Sequence, residues 1–282
     1  MAPSMLLACI GLGWKKSGLE YPTNFVTTLV INIALPALIF HTLVSADISL
    51  DALYQLGSAT VVVHVLLISL SALVLRLAKK DLGLTVSFTV GNTGNLGLPL
   101  CLLAFGEEGL AYAIVYFSVQ CIFLFTVGEA VYAGSLSIKR ILKVPIIYAL
   151  IAALLVRIGN IPVHEIIMDT TQLLGGVVVP IMLITLGISI AGMVARNFLS
   201  TLFWALVRTG LAIIAGLLVA EWFSLEGVAR GVLIIETVVP VAVFHYLLAY
   251  KHNKNSEEIS GLILITHLAA ILYFPFIFGL VL

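Results

Sequence analysis

Ten apolar segments follow one another along the chain, separated by short polar connections. A helix needs about 20 mostly apolar residues to cross the hydrocarbon of a bilayer. The pattern therefore predicts an all-α integral membrane protein with ten transmembrane helices. The first segment is short for a span and is either trimmed or enters the bilayer part-way. The segments lie near residues 1–14, 24–46, 51–77, 82–105, 109–133, 142–158, 165–194, 198–220, 226–250 and 257–281.

The fourth segment contains a polar, glycine-rich interruption, GNTGNLGLPL, at residues 91–100. Proline removes a backbone donor and glycine weakens a helix. Hydrocarbon offers no partner to the backbone groups that such a break frees, so we expect residues 92–98 to be unwound and to face an internal site. The alternative is a glycine-rich packing face with a proline kink, since small residues also let membrane helices approach closely.

The second half of the chain repeats features of the first. Pro36 in ALPALIF and Pro180 in VVPIMLI are 144 residues apart, and Pro99 and Pro240 are 141 residues apart. Because five spans per half is an odd number, the second copy is inserted upside down. An inverted repeat with broken helices at matching positions indicates a secondary transporter with its site near the bilayer midplane.

The halves predicted from this repeat are residues 1–135 and 136–282. Spans four and nine are expected to cross near the membrane centre. Span nine is expected to be unwound around residues 237–240, in the stretch that holds Pro240.

Three stretches resemble hallmarks of the auxin efflux carrier family: ALPALIF, GNTGNLGLPL and ETVVPVAVFHYLLAYKH at residues 236–252. That family includes plant auxin carriers and bacterial permeases for malonate or malate, and the resemblance covers essentially the whole chain. It implies ten helices arranged as a scaffold and a crossing-helix core, as in bile-acid sodium symporters and sodium/proton antiporters. It also implies transport of an organic anion.

Composition excludes several other classes. The mean hydropathy is +1.19 and 10% of the residues are charged, against about 25% in soluble domains. A net charge of zero without a basic patch gives no reason to expect nucleic-acid binding. Cys9, Cys101 and Cys121 are scattered over apolar segments, which is typical of packing residues. The sequence has no nucleophile elbow, P-loop or HExxH motif, so we do not expect an enzyme.

Charge in the connections predicts the orientation. Eleven Lys and Arg residues lie in one alternate set of connections, whereas only Arg157 and Arg230 lie in the other set. Positive residues favour the cytoplasmic side. In a plasma (inner) membrane both termini are therefore expected outside, with the Lys79–Lys80 and Lys139–Arg140 connections in the cytoplasm.

The polar side chains at the break of span four, Asn92, Thr93 and Asn95, are candidate substrate ligands. An amide beside a half-helix N-terminus suits a carboxylate, whereas unwound carbonyls suit a cation. The alternative is that these side chains only satisfy the backbone of the crossing. The predicted substrate site also includes four residues at the two breaks: Gly97, Pro99, Val239 and Pro240.

Glu236 is the candidate coupling residue, because a charge deep in a span costs at least about 2.5 kcal/mol and needs a partner, a cation or a proton. Together with Thr237, Gln120 and the asparagine oxygens, Glu236 could bind sodium. In a dry site the same carboxylate could instead carry a proton. We favour sodium, because the oxygen-rich neighbourhood resembles the ion sites of the bile-acid symporters. The alternative is a structural pair with Arg208 or a histidine.

The leading hypothesis is a secondary transporter that moves a small organic anion by alternating access. The anion is a carboxylate, a dicarboxylate or an auxin-like molecule, and transport is coupled to sodium or protons through Glu236. Beyond such an ion no cofactor is expected. The partners are the substrate and the lipid bilayer, and a homodimer is left open. The alternative is a transporter-like sensor or scaffold that binds a ligand without net transport, although the connections are too short for a signalling domain.

Overall fold

The computed structural model describes residues 2–133, 144–195, 197–252 and 256–282. Within these ranges the chain is helical and contains no strand, as predicted. The α-helices are α1 (Ala2–Lys16), α2 (Thr23–Leu29), α3 (Leu35–Ser45), α4 (Leu50–Leu77), α5 (Leu84–Thr89), α6 (Leu98–Phe123), α7 (Glu129–Ala133), α8 (Pro145–Ile158), α9 (Glu165–Gly176), α10 (Val178–Ala191), α11 (Phe198–Trp222), α12 (Gly227–Val238), α13 (Phe244–Lys251) and α14 (Ser256–Val281). Three π-helical turns are Val30–Ala34, Thr93–Gly97 and Leu124–Gly128.

Six helical stretches in the described part of the chain are long and apolar enough to cross a membrane, so the chain is an integral membrane protein. They are Thr23–Ser45, Leu50–Leu77, Thr93–Tyr132, Glu165–Ala191, Phe198–Trp222 and Ser256–Val281. The stretch Thr93–Tyr132 joins two of the predicted segments, and Gly106, with φ 67° and ψ −153°, interrupts its helical backbone. The count of ten spans and the inverted-repeat arrangement stay predictions.

Both breaks are shifted relative to the predicted unwound ranges; the first is shorter, and the second is one residue longer. Thr237 and Val238, which were expected to be unwound, are the last residues of α12. Residues 90–92 separate α5 from a π-turn, and residues 239–243 separate α12 from α13. The prediction that residues 92–98 are unwound is wrong for residues 93–97, which form the π-turn Thr93–Gly97. This turn pairs backbone groups that would otherwise lack partners in an apolar interior, since the carbonyl of Asn92 accepts from the N–H groups of Leu96 and Gly97.

The two breaks contact each other through their backbones. Gly91 and Val241 form an isolated antiparallel bridge. The N–H of Asn92 donates to the carbonyl of Pro240 at 2.7 Å, and the N–H of Val241 donates to Thr266 Oγ1 at 3.2 Å. A Cβ atom at Gly91 would lie 2.6 Å from Val239 Cγ2. Glycine therefore allows the two interrupted helices to meet at backbone distance.

The prolines that align between the halves lie beside helix irregularities. Pro36 follows the π-turn Val30–Ala34, and Pro180 follows a junction at Val177, where α9 ends and α10 begins. These two helical pairs, α2–α3 and α9–α10, pack together, and the short helix α1 packs against α10. They form one wall beside the crossing.

Some predictions lie outside the described residues. They include the Lys139–Arg140 connection and the predicted boundary between the halves at residues 135 and 136.

Candidate functional site

A cavity of about 180 Å³ lies against the crossing. Residues 90–95 of the first break and residues 242–244 of the second break form one side of it. Helices α2 and α10 form the opposite side, and α6 contributes Phe117 and Gln120. The cavity therefore lies between the crossing and the α2–α3 and α9–α10 wall.

The structure brings four of the predicted residues together in this cavity: Asn92, Thr93, Asn95 and Gln120. Gln120 Nε2 donates to the carbonyl of Gly91 at 2.9 Å and also to Thr93 Oγ1. Gln120 and Thr93 thus support the backbone of the break, as the structural interpretation expects, and their role in substrate binding stays a prediction.

Asn92 has a partner that the sequence did not indicate. Its Nδ2 lies 3.1 Å from Nε2 of His267 in α14, and His267 Nδ1 lies 2.8 Å from the carbonyl of Ile263. The side chain of Asn92 is 4% exposed and borders the cavity. The hydrogen bond to His267 in α14 therefore holds the side-chain amide of Asn92 in place.

Four hydroxyl residues in the opposite wall were missed by sequence reasoning. Thr23 and Thr27 lie on α2, and Thr185 and Ser189 lie on α10. Each pair is spaced four residues apart, which places both hydroxyls on one helix face. That spacing, near a proline in a membrane helix, is the signal that could have found them.

The N-terminal ends of two half-helices border the same cavity. Thr93, Gly94 and Asn95 begin the helical stretch after the first break, and Phe244 begins α13 after the second break. A helix N-terminus carries a partial positive charge from unpaired backbone N–H groups. Two such ends meet here without a charged side chain among the described lining residues.

Glu236 lies outside this cavity, contrary to the expected cluster with Asn92, Thr93 and Asn95. Its side chain is 0% exposed, and Cys101 Sγ donates to Oε1 at 3.7 Å. Oε2 has no hydrogen-bond partner among the residues that the structure describes, and a Cβ atom at Gly97 would overlap it. The carboxyl group thus packs against α6 and the π-turn before it, because the crossing turns this face of α12 away from the cavity.

Thr237 also points away from the predicted ion site. Its hydroxyl donates to the carbonyl of Leu233 at 2.6 Å and lies 3.1 Å from the hydroxyl of Tyr116. The hydroxyl therefore has partners without an ion.

Arg208 does not pair with Glu236. Its Nη1 donates to the carbonyl of Val238 at 3.3 Å, and Tyr273 donates to the same carbonyl at 2.8 Å. Nε and Nη2 of this fully buried side chain have no partner in the part of the chain that the structure describes. The positive charge thus lies at the carboxyl end of α12, where the helix dipole favours a cation. The structural pair of Glu236 and Arg208 is therefore wrong.

The remaining predicted substrate residues do not line the cavity. Pro99 and Val239 are buried away from it, and Pro240 contributes its carbonyl to the hydrogen bond from Asn92. Gly97 is held in the π-turn, where it faces Glu236. Their contribution is to the shape of the crossing.

A second cavity, of about 440 Å³, lies on the other side of the crossing along the same wall. It borders α3 at His41 and Thr42, α9 at Thr171 and Gly175, and α6 at Glu107. Within the wall, α9 packs closely on α3 where both helices border this cavity, since a Cβ atom at Gly175 would lie 2.8 Å from Leu38 Cα.

Comparison with known sequences decides the family. The signature of the family described as "Membrane transport protein" matches residues 1–135 and 129–278. The chain belongs to the auxin efflux carrier family. The match to this family of carriers confirms the resemblance carried by the two breaks.

Two curated relatives of this carrier are archaeal proteins, each described as an uncharacterised transporter. The chain is 26% identical over 287 residues to one from Methanocaldococcus jannaschii, covering 93% of this chain and 91% of the relative. It is 25% identical over 287 residues to one from Methanothermobacter thermautotrophicus, covering 96% and 94%. The carrier is thus similar to transporters over nearly its whole length.

Within the described residues of the carrier, no group of three or more His, Cys, Asp or Glu side chains is placed to hold a metal ion.

Proposed function

We propose that this carrier is a secondary transporter that moves a small organic anion by alternating access, with the 180 Å³ cavity as its substrate site. The observation that carries the proposal is the meeting of two half-helix N-termini in one cavity. Broken helices that direct their N-termini at an anionic substrate group are a recurring design of secondary transporters.

The lining of the cavity supports an anion with an apolar body. Backbone N–H groups and the Asn95 amide offer donors to a carboxylate, while Phe117, Met182 and Ile181 offer apolar contact. A carboxylate bound here would not face a buried negative charge, because Glu236 packs on the far side of Gly97.

The two cavities support alternating access. Both border the α2–α3 and α9–α10 wall, the first cavity at α2 and α10 and the second at α3 and α9. A shift of the crossing along this wall would close one cavity and open the other. The substrate site would then face each side of the membrane in turn.

Coupling through Glu236 belongs to the same proposal. The oxygen cluster expected for sodium does not surround its carboxyl group, since Thr237 bonds elsewhere and the nearest described donor is the thiol of Cys101. An isolated charge at that depth is costly. These two facts favour a proton over sodium as the coupling ion.

Flux of labelled malonate and succinate into proteoliposomes, under imposed sodium and proton gradients, tests the proposal. We expect saturable uptake that a proton gradient accelerates and a sodium gradient does not. Binding of either acid without flux under every gradient would overturn it and favour the sensor alternative.

A further inference from the structure

The side-chain amide of Asn92 is held in one orientation. His267 Nδ1 lies 2.8 Å from the carbonyl of Ile263, an oxygen that can only accept, so Nδ1 carries the proton. In the neutral ring Nε2 is then an acceptor, and Asn92 Nδ2, 3.1 Å away, is the donor. The hydrogen bonds thus settle which end of the amide faces His267.

The other end of the amide faces the cavity. The contact with His267 is the only side-chain hydrogen bond that Asn92 makes among the described residues, and Asn92 borders the cavity. The amide oxygen Oδ1 is therefore left for a ligand. An amide oxygen accepts hydrogen bonds and cannot donate them.

Gln120 follows the same pattern. Its Nε2 is used by the carbonyl of Gly91 and the hydroxyl oxygen of Thr93. Its Oε1 is buried and makes no hydrogen bond of standard geometry among the described residues, although His64 lies close to this amide. Both amides that touch the break thus direct their donors at the protein, and Asn92 presents an acceptor at the cavity surface.

We propose that His267 is a positioning residue for substrate selection: it turns Asn92 Oδ1 into the cavity, so that the carrier prefers organic anions that carry a hydroxyl group next to the carboxylate. The carboxylate binds at the half-helix N-termini and the hydroxyl donates to Asn92. This inference rests on the proposed function and specifies its substrate class.

A cation is a weaker fit for the same oxygen. No carboxylate lines the cavity among the described residues, so a bound cation would lack a countercharge. Glu236, the buried carboxyl group of the crossing, lies behind Gly97. A hydroxyl donor needs no countercharge.

Matched pairs of acids test the proposal: L-malate against succinate, and L-lactate against propionate. Each pair differs by one hydroxyl group. In the full-length carrier in lipid nanodiscs, calorimetry should show that the hydroxy acid of each pair binds about tenfold more tightly, the effect of one hydrogen bond whose loss leaves a buried acceptor unpaired. Equal affinities within both pairs would overturn the inference.

Variants of His267 test whether this residue causes the preference for hydroxy acids. His267→Leu lets the amide of Asn92 rotate, so the preference should fall below about twofold while succinate still binds. His267→Gln supplies an amide oxygen for Nδ2 and should restore most of it. His41→Gln, a histidine of the second cavity bonded to the carbonyl of Met168, is the matched control and should keep the full preference.

Two further outcomes separate this inference from the proposed function. If sodium strengthens the binding of both acids of a pair equally, and His267→Leu loses this effect, then a cation binds at Asn92 and the inference is overturned. Transport of succinate and malate without preference would overturn only the inference. Failure of all four acids to bind would overturn both.

A spectroscopic readout checks the orientation directly. With ¹⁵N-labelled histidine, the signals lost in His267→Leu should be those of a neutral ring protonated at Nδ1. Signals of a ring protonated at Nε2 or at both nitrogens would contradict the fixed amide.

Discussion

At the scale of single residues, Gly97 and Glu236 share one small space. A Cβ atom at Gly97 would overlap Glu236 Oε2, and among the described residues only Cys101 donates a hydrogen bond to this buried carboxyl group. The glycine is thus explained by a carboxyl group that packs against its backbone, and an alanine at this position must displace that group.

Gly97→Ala should destabilise the carrier by about 1–3 kcal/mol, because it overpacks a rigid buried site. Thermal unfolding in detergent measures the change. Gly210→Ala is the control, since a Cβ atom there meets nothing within 4 Å. Glu236→Ala in the Gly97→Ala background should recover part of the loss. Additive effects would show that the two residues do not compete for space.

Glu236→Gln should leave the carrier folded, because the amide has the shape of a carboxylic acid and keeps the contact with Cys101. Uptake should become insensitive to the proton gradient, because an amide cannot exchange a proton in this range. Proteoliposome flux over a series of external pH values and sodium concentrations measures the response.

Glu221→Gln, at an exposed carboxylate, is the control for this prediction. A pH response that survives in Glu236→Gln would remove Glu236 from coupling. A sodium response that is present in the wild type and lost in the variant would restore the sodium hypothesis.

At the scale of elements, the breaks could be located from the sequence but their partners could not. Glycines and prolines end helices for local reasons, so Gly91 and Pro240 lie in the predicted places. The π-turn after the first break depends on which backbone carbonyl accepts the first hydrogen bonds after the interruption, here the carbonyl of Asn92. No local pattern encodes that choice.

The contacts of the site depend on how the helices are rotated at the crossing. Asn92 could be predicted as a site residue, whereas His267 could not be predicted as its partner, because the two lie 175 residues apart. The sequence also does not show how α12 is rotated, and this is why we expected Glu236 to face the asparagines. The rotation of α12 instead directs it at Gly97.

Arg208 in α11 is buried against the carboxyl end of α12, and burying its charge costs free energy. Within the described ranges it makes one hydrogen bond, of 3.3 Å, and buries two donors without partners. Apolar replacements of buried charges are often neutral or stabilising. We therefore expect Arg208→Met not to lower the thermal midpoint, but to slow uptake by removing the positive charge at the end of α12.

Tyr273→Phe removes the other donor to the carbonyl of Val238 and leaves the charge in place. It should cost about 1 kcal/mol and keep uptake close to that of the wild type. Paired measurements of unfolding and flux separate the two variants. Normal uptake by Arg208→Met would show that the charge is not needed for transport.

At the scale of the whole molecule, the proposed alternating access requires the crossing to move along the wall that borders both cavities. Gly175 touches the backbone of α3 at Leu38, whereas the next residue, Gly176, would meet nothing within 4 Å if it carried a Cβ atom. Gly175→Ala should therefore widen this contact, lower the free energy of unfolding by about 1–3 kcal/mol and slow uptake. Gly176→Ala, the control, should do neither.

If both variants unfold at the same temperature and transport equally well, the contact between Gly175 and Leu38 does not control this movement.

The orientation of the molecule can be tested with residues of the described chain. On a background without Cys9, Cys101 and Cys121, we expect Lys79→Cys to react with a membrane-impermeant maleimide only from the cytoplasmic side, because its connection carries several positive residues. Glu165→Cys should react from outside. Reversed accessibility would invert the predicted topology.

The bridge between Gly91 and Val241 has a consequence for biogenesis. The two residues are 150 positions apart, and a ribosome that adds about 5–20 residues per second needs roughly 8–30 s to make that length of chain. During this interval the backbone N–H of Asn92 lacks its acceptor, the carbonyl of Pro240, because that residue has not yet been synthesised. A nascent chain released before residue 240 would leave this polar backbone facing lipid, where each unpaired group costs several kcal/mol. The first half of the carrier therefore depends on the second half to complete its most polar turn.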